Sequence, residues 1–147
     1  MNMALYTVGH SNQSLEELLD LLKSFEIKIL VDVRSYPSSK KVPHFNRVNL
    51  EKVLPLHEIT YYWMGDTLGG LRKEDYQAYT LTAEFQAGIQ KLQSLIRERA
   101  VIMCAEKFPW RCHRIHISRE LQHQGIKCIH IISKGKTWGS TDIMNYF

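Results

Sequence analysis

The chain has 147 residues, the length of one ordinary domain, and its 44% hydrophobic and 23% charged residues exclude a disordered protein. No apolar run approaches the ~20 residues that span a bilayer, and no signal peptide is visible, so we expect a cytoplasmic protein without a membrane partner. A net charge of +4 favours anionic partners, and three cysteines, an odd number, predict reduced thiols rather than a disulfide framework.

The first part of the chain alternates predicted strands and helices. A short apolar run predicts a strand at residues 5–8. Ser14 and Glu17 form an S-x-x-E capping box, which satisfies free amides at the start of a helix with leucines at helical spacing. The apolar run at residues 29–31 predicts a buried strand, and the two prolines after it predict a loop.

The middle of the chain continues this alternation. A short helix is expected to end near Leu54, because Pro55 disfavours helical geometry in the residue before it. Residues 59–64 predict a third strand, and the glycines within residues 65–76 predict a loop. Residues 82–99 carry apolar side chains at helical spacing and predict a long helix.

The last part of the chain contains the most unusual residues. Residues 100–106 predict a strand and residues 107–110 a turn. Residues 112–125 predict a helix closed by its final glycine, and residues 126–132 predict a last strand. The tail from about residue 133 shows no regular pattern, and we expect it to be irregular.

Strands that alternate with helices predict a single α/β domain with three layers, in which helices cover both faces of a parallel or mostly parallel sheet. Ligands bind such sheets outside the carboxyl ends of the strands, where the connecting loops meet. The chemically distinctive residues follow four predicted strands, which favours one shared site. They are His10, Ser11, Asp32, Arg34, Gly69, Gly70, Cys104, Glu106, Arg111, Cys112, His113 and Arg114.

Four motifs carry a family resemblance. In their order and spacing, "TVGHS", "VDVRSYP", "LGG" and "CAEKFPWRCHR" resemble the domain of unknown function 488 family, a bacterial and archaeal α/β domain. The resemblance covers Tyr6 to about Ile132, and the last motif is the most specific. It implies the fold and the position of a site, and it leaves the reaction and the substrate open.

A fainter similarity concerns layout. "VDVR" on an early strand, followed later by a strand that ends in cysteine, is similar to rhodanese-like sulfurtransferases and related phosphatases. Those proteins use a cysteine in a short loop that wraps an anion and ends in arginine. The segment from Cys104 to Arg111 is longer, contains a proline and bulky aromatic residues, and lacks glycine.

The cysteines allow two interpretations. If a helix begins near Cys112, its free amides and the nearby Arg111, His113 and Arg114 lower the pKa of the thiol and make it a nucleophile. Alternatively, Cys112 is a small residue buried for packing. Cys104 ends a buried strand and faces either the site or a helix layer, with packing favoured, whereas Cys128 belongs to the core.

The acids and bases also have two interpretations each. Glu106 is either a general base or substrate anchor, or a carboxylate that fixes an arginine, because an unpaired buried charge is costly. Asp32 is expected to pair with an arginine, while Arg34 can hold an anionic ligand through its planar fork. His10 and His113 are candidate proton carriers, although a lone histidine is more often structural.

The remaining candidates are weaker. Ser11 either donates a hydrogen bond to a ligand or completes a turn. Cys104, Cys112, His113 and His116 offer enough donors for zinc, but no C-x-x-C pair exists and neighbours in sequence rarely bind one ion, so we expect no metal and no cofactor. A redox disulfide between Cys104 and Cys112 is conceivable, although it too lacks C-x-x-C spacing.

Two functions follow from these residues. The first is an enzyme-like domain that binds a small anionic or nucleotide-like ligand. In it the arginines bind the charge of the ligand, and Glu106 or a histidine transfers protons. Its most specific version includes a step in which a cysteine thiol reacts. The second is a nucleic-acid-binding module without catalysis. Its basis is the basic stretch of residues 34–47, in which Tyr36, His44 and Phe45 can stack on bases while cations contact phosphates.

Overall fold

Six strands form one sheet in the computed structural model, which describes residues 4–139. They are β1 (Leu5–Gly9), β2 (Ile29–Asp32), β3 (Thr60–Trp63), β4 (Ala100–Cys104), β5 (Cys128–Ser133) and β6 (Lys136–Gly139). They lie in the order β3-β2-β4-β1-β5-β6. Strands β1 to β5 are parallel and β6 is antiparallel to β5, so the predicted mostly parallel sheet is confirmed.

Helices connect these strands. They are α1 (Leu15–Ser24), α2 (Arg47–Leu56), α3 (Gly65–Leu68), α4 (Tyr76–Tyr79), α5 (Ala83–Leu95) and α6 (Arg114–His123), with short 3-10 helices at Pro43–Phe45 and Pro109–Arg111. The capping box of α1 is present, because the Glu17 amide donates to Ser14 Oγ at 3.0 Å and the Ser14 amide donates to the Glu17 carboxylate at 2.9 Å. None of the helices described is long and apolar enough to cross a membrane.

The sheet is covered on both faces, which confirms the three-layer α/β/α fold. Buried residues of α1 and α2 pack with one set of strand residues, and buried residues of α5 and α6 pack with the other set. Strand β4 shows the alternation directly: Val101 and Met103 face α1 and α2, whereas Ala100, Ile102 and Cys104 face α5 and α6. Cys104, the last residue of the strand, therefore lies on the face of the sheet that α5 and α6 cover.

Three predicted elements differ from the structure. Helix α2 continues through Pro55 to Leu56, because Glu51 and Pro55 are both exposed and the carbonyl that loses its intrahelical donor faces water. Residues 65–76, predicted as loop, include α3 and the start of α4. The helix predicted from Cys112 begins at Arg114, because Cys112 is extended, with φ of −133° and ψ of 146°.

The tail is also more regular than the sequence indicated. A two-residue turn at Lys134 and Gly135 joins β5 to β6, and this hairpin adds an antiparallel edge strand to the sheet. The prediction of an irregular tail from about residue 133 is therefore wrong as far as Gly139. The rest of that prediction, residues 140–147, lies outside the described residues.

The order of the strands creates a crevice at the carboxyl edge of the sheet. Strands β2 and β4 are neighbours, but the chain leaves β2 toward α2 on one face and leaves β4 toward α6 on the other. The two loops therefore separate, as they do at the ligand-binding switch points of open α/β sheets. This crevice lies beside the predicted cysteine–histidine segment.

Candidate functional site

A cleft of about 430 Å³ occupies this crevice. Its walls come from the loop after β2, the segment after α3 and the loop after β4. They are formed by Arg34, Ser35, Tyr36, Gly70, Leu71, Cys104, Ala105, Glu106, Arg111, Cys112 and His113. The structure thus brings together candidates that the sequence places far apart.

Two free cysteines lie at the base of the cleft, with their sulfurs 2.7 Å apart. Cys104 is the last residue of β4 and is 2% exposed. Cys112 is half-buried and follows the 3-10 helix Pro109–Arg111, which turns the chain back toward the end of the strand. The accessible sulfur of the pair is therefore that of Cys112.

A buried arginine lies beneath the cysteines. Arg114 has no exposed surface, and its Nη1 donates to Cys104 Sγ at 2.6 Å and to the Glu106 carbonyl oxygen. Its Nη2 donates to the Lys107 carbonyl at 2.9 Å, and its Nε donates to Thr7 Oγ1 at 3.1 Å. The ion pairs found between residues 4 and 139 do not include Arg114. Because a buried cation needs a counter-charge, the sulfur of Cys104 is the acceptor that supplies it.

The environment lowers the pKa of Cys104 from 9.0 to about 7. Burial alone raises this pKa, but the hydrogen bond from Cys112 and the charge and hydrogen bond of Arg114 outweigh it. The hydrogen bond to Cys104, followed by burial, raises the pKa of Cys112. As the pH rises through about 7, the two sulfurs therefore come to share one proton, with a thiolate at Cys104 and a thiol at Cys112 that donates to it.

His113 is placed to accept a proton from Cys112. Its Nε2 donates to the Val33 carbonyl oxygen at 3.0 Å, which leaves the lone pair of Nδ1 facing Cys112 Sγ at 3.5 Å. Burial lowers the pKa of His113 to about 4, so the ring is neutral at pH 7. The backbone amide of Arg114 donates to the same sulfur at 3.4 Å. This is the amide that begins α6, but the expected lowering of the Cys112 pKa is not found, because the hydrogen bond to Cys104 and burial raise that pKa.

Asp32 and Arg34 form a buried ion pair at the end of β2. Arg34 Nε and Nη2 donate to the two carboxylate oxygens of Asp32 at 2.8 and 2.7 Å, and the Tyr61 hydroxyl donates to Asp32 at 2.6 Å. Arg34 Nη2 also donates to the Phe45 carbonyl at 2.8 Å. The planar fork of Arg34 is therefore engaged within the protein, with its Nη1 3.2 Å from His10 Nε2.

His10 and Ser11 do not line the cleft with the cysteines. His10 is buried, stacks on Phe45 with ring centroids 4.6 Å apart, and lies 3.2 Å from Arg34 Nη1. Burial lowers its pKa to about 4. Ser11 lies in a separate cavity of about 390 Å³, between α1 and the ends of β1 and β5.

The two glycines after α3 differ in position. A Cβ on Gly69 would lie 2.1 Å from Ser35 Oγ, so this residue packs against the loop after β2. Gly70 lines the cleft, and its backbone lies against the ring of His113, since a Cβ there would be 2.7 Å from Nδ1. Gly70 thus permits the position that His113 takes beside Cys112.

Glu106 and Arg111 lie at the mouth of the cleft, and both side chains are exposed. The expectation that the Glu106 carboxylate is buried and fixes an arginine is wrong, because its backbone carbonyl rather than its carboxylate binds Arg114. Arg111 is a cation in reach of a ligand. Arg114 lies below the cleft with no exposed surface, so its charge acts on the thiolate instead.

Sequence reasoning missed the polar residues behind Arg114. Thr7 and His130 face each other across β1 and β5, and their side chains share a buried hydrogen bond. His130 Nε2 is buried and has no hydrogen-bond partner among residues 4–139, and burial lowers the pKa of this ring to about 3. The sequence did contain a signal for this hydrogen bond, because Thr7 and His130 are polar residues within two apolar strands and occupy positions that pair when the strands are parallel.

Between residues 4 and 139, no group of three or more histidine, cysteine, aspartate or glutamate residues is arranged to hold a metal ion. His116 lies on α6, where its ring contacts Tyr76 at a centroid distance of 5.6 Å. The two cysteines and His113 lie together in the cleft instead.

A described family matches most of the chain. A family model described as "Domain of unknown function DUF488" matches residues 14–121. This range contains "VDVRSYP", "LGG" and "CAEKFPWRCHR" but begins after "TVGHS", so it is shorter than the range from Tyr6 to Ile132 indicated by the motifs. No curated protein and no solved structure matches the chain.

Proposed function

We propose that this protein, which belongs to the DUF488 family of domains of unknown function, is an enzyme that acts on a small anionic ligand through a cysteine thiolate. The observation that carries the proposal is the contact between Cys104 and the fully buried Arg114. A thiolate, rather than a thiol, is the reactive form of cysteine. Such a site needs reduced cysteines, which fits the expected cytoplasmic location.

Cys112 is the nucleophile in this proposal. Its sulfur is the accessible member of the pair, and two acceptors for its proton lie beside it, the Cys104 thiolate at 2.7 Å and His113 Nδ1 at 3.5 Å. Transfer of that proton in either direction places the negative charge on Cys112, next to the amide that begins α6. The cleft thus offers an activated nucleophile, a base and a fixed cation within one group of contacts.

The walls of the cleft favour an anion that carries an apolar or aromatic part. Arg111 supplies an exposed cation at the mouth, and the largely buried Arg34 also lines the cleft. Tyr36 and Leu71 are 76% and 69% exposed, which is high for such side chains, and both line the cleft. A phosphate or carboxylate near Arg111 would leave the apolar part of the ligand against these two residues, as in a nucleotide-like molecule.

The nucleic-acid alternative has less support along the basic stretch 34–47. Arg34 is buried in its pair with Asp32, and Arg47 pairs with Glu51 at 2.7 Å. Phe45 is fully buried, so it does not offer a stacking surface. The two lysines of this stretch are exposed, but a multi-phosphate contact needs more cations than these. We therefore favour the small-ligand enzyme.

Alkylation by iodoacetamide at pH 7 tests the proposal. We expect Cys112 to react about fivefold faster than a free thiol, because the pair is about half ionised at pH 7 and its remaining proton can move from Cys112 to Cys104. Inorganic phosphate or adenosine monophosphate should slow the reaction. Protection should weaken in Arg111→Met and persist in the matched control Arg97→Met, which removes an exposed arginine before β4, at the opposite edge of the sheet. Uniformly slow alkylation of all three cysteines would contradict the thiolate enzyme.

A further inference from the structure

The cysteine pair combines one accessible sulfur with one buried sulfur in contact. Cys112 lines the cleft and is half-buried, whereas Cys104 lies beneath it and is 2% exposed. Their sulfurs are 2.7 Å apart, so only a small displacement separates the dithiol from a disulfide. This arrangement of an accessible attacking sulfur and a shielded second sulfur fits two-step thiol–disulfide exchange.

We propose that Cys104 and Cys112 form a redox-active dithiol that reduces small anionic disulfides. The inference rests on the proposed function, since it uses the same cleft and nucleophile, and it adds the reaction and the substrate class. The spacing of the two cysteines is C-x₇-C, longer than that of C-x-x-C proteins, and here the strand end and the 3-10 helix bring the sulfurs together.

The first step is attack by Cys112 on the substrate. Cys112 gives its proton to the Cys104 thiolate 2.7 Å away, and its sulfur forms a bond with one sulfur of the disulfide while the substrate S–S bond breaks. The departing thiolate takes that proton from Cys104, which restores the Cys104 thiolate. The products of this step are a mixed disulfide at Cys112 and one reduced substrate thiol.

The second step is resolution by Cys104. Its thiolate, held by Arg114 Nη1 at 2.6 Å, attacks Cys112 Sγ and releases the second substrate half as a thiolate. Two electrons have then passed from the dithiol to the substrate, which leaves the Cys104–Cys112 disulfide and two thiol products. A second dithiol, such as a protein or small-molecule reductant, returns the enzyme to its starting form by the reverse exchange.

Arg114 determines which redox form is favoured. In the dithiol form its buried charge faces the Cys104 thiolate, whereas in the disulfide form that anion is lost and the cation stays buried. The reduced form is therefore stabilised, so the dithiol is a weaker reductant than an unperturbed one and an excess of substrate disulfide drives the exchange. Replacing the cation by an apolar side chain of similar length, Arg114→Met, should shift the equilibrium toward the disulfide by about tenfold to a hundredfold.

Substrate charge follows from the mouth of the cleft. Arg111 is exposed there, so a disulfide that carries carboxylates should react faster than an uncharged one. Oxidised glutathione serves as the anionic probe, and bis(2-hydroxyethyl) disulfide serves as the neutral comparison.

The test is intact-protein mass spectrometry of the reduced full chain after exposure to each disulfide. We expect the wild type to lose two hydrogens without gaining an adduct, and Cys104→Ser to accumulate a glutathione adduct on Cys112. Cys112→Ser should not react, and Cys128→Ala, which removes the core cysteine, should behave as the wild type. Titration against reduced and oxidised glutathione then gives the equilibrium for the wild type and for Arg114→Met.

The outcomes distinguish a failure of the redox-active dithiol from a failure of the proposed thiolate enzyme. A stable wild-type adduct with no internal disulfide, or no reaction at all, would overturn the dithiol, and fast phosphate-sensitive alkylation would then leave the proposed function standing. An internal disulfide that forms equally fast with both probes, without phosphate protection, would support the dithiol and overturn anion binding. If Cys104→Ser does not fold, the wild-type mass and its redox titration still decide the question.

Discussion

Two buried arginines lie beside one cleft, and each is neutralised in a different way. Arg34 binds the carboxylate of Asp32 through two parallel hydrogen bonds, a geometry specific to arginine. Arg114 instead faces the sulfur of Cys104 and backbone carbonyls. The first pair could be predicted, because acid and base alternate in "VDVR". The second could not, since nothing in "RCHR" shows which arginine is buried.

The role of Asp32 can be separated from catalysis by its effect on stability. Asp32→Asn should lower the free energy of unfolding by about 3–5 kcal/mol, because it leaves the buried guanidinium of Arg34 without its counter-charge. Urea denaturation measures this loss. Glu51→Gln, which removes the exposed pair with Arg47, should cost about 0.5 kcal/mol or less. A loss below about 1 kcal/mol in Asp32→Asn would mean that the pair is not needed to hold Arg34.

The loops that follow β1 and β4 are held together by backbone hydrogen bonds and close packing. The amides of His10 and Ser11 donate to the carbonyls of Cys104 and Ala105, both at 2.9 Å. A Cβ on Gly9 would lie 1.7 Å from the Glu106 carbonyl oxygen, which is itself an acceptor for Arg114. The glycine therefore fixes the distance between the end of β1 and the segment that holds the arginine.

Gly9→Ala should lower the free energy of unfolding and displace the segment that holds Arg114 beside the Cys104 thiolate. The new methyl group would overlap backbone atoms, which cannot move aside as a side chain can. We therefore expect a loss of about 3 kcal/mol or more in the free energy of unfolding. The control is Gly88→Ala on α5, where the added carbon would lie 3.1 Å from side-chain atoms and alanine favours the helix. Equal stability of the two variants, measured by thermal and urea denaturation, would contradict this close contact.

Elements with local signals were predictable, and elements fixed by distant contacts were not. The capping box and leucine spacing predicted α1, and the apolar spacing predicted α5, because these patterns depend on neighbours along the chain. Helices α3 and α4 have four residues each, too few for periodicity to show. Strand β6 exists because β5 is available to pair with it, which is a tertiary contact.

At the scale of the molecule, the site exists because segments from four places in the chain meet at one edge. Cys104 ends β4, Cys112 and Arg114 flank the start of α6, Thr7 lies on β1, and the carbonyl of Val33 follows β2. Parallel strands bring their carboxyl ends together, so the shared edge was predictable from the alternation of strands and helices. The contact between sulfur and guanidinium depends on where α6 begins, and local sequence does not fix that register.

The ultraviolet absorbance of thiolate, followed against pH, tests the central claim most directly. For a thiol whose pKa is lowered, the thiolate is present above that pKa and is lost as the pH falls through it, so the wild type should show one thiolate that titrates near pH 7. Arg114→Met should move this midpoint to about pH 8.5 or above, the range of an unperturbed thiol, while Arg97→Met should leave it in place. A wild-type midpoint already at that higher pH, or one that Arg114→Met does not change, would contradict the account.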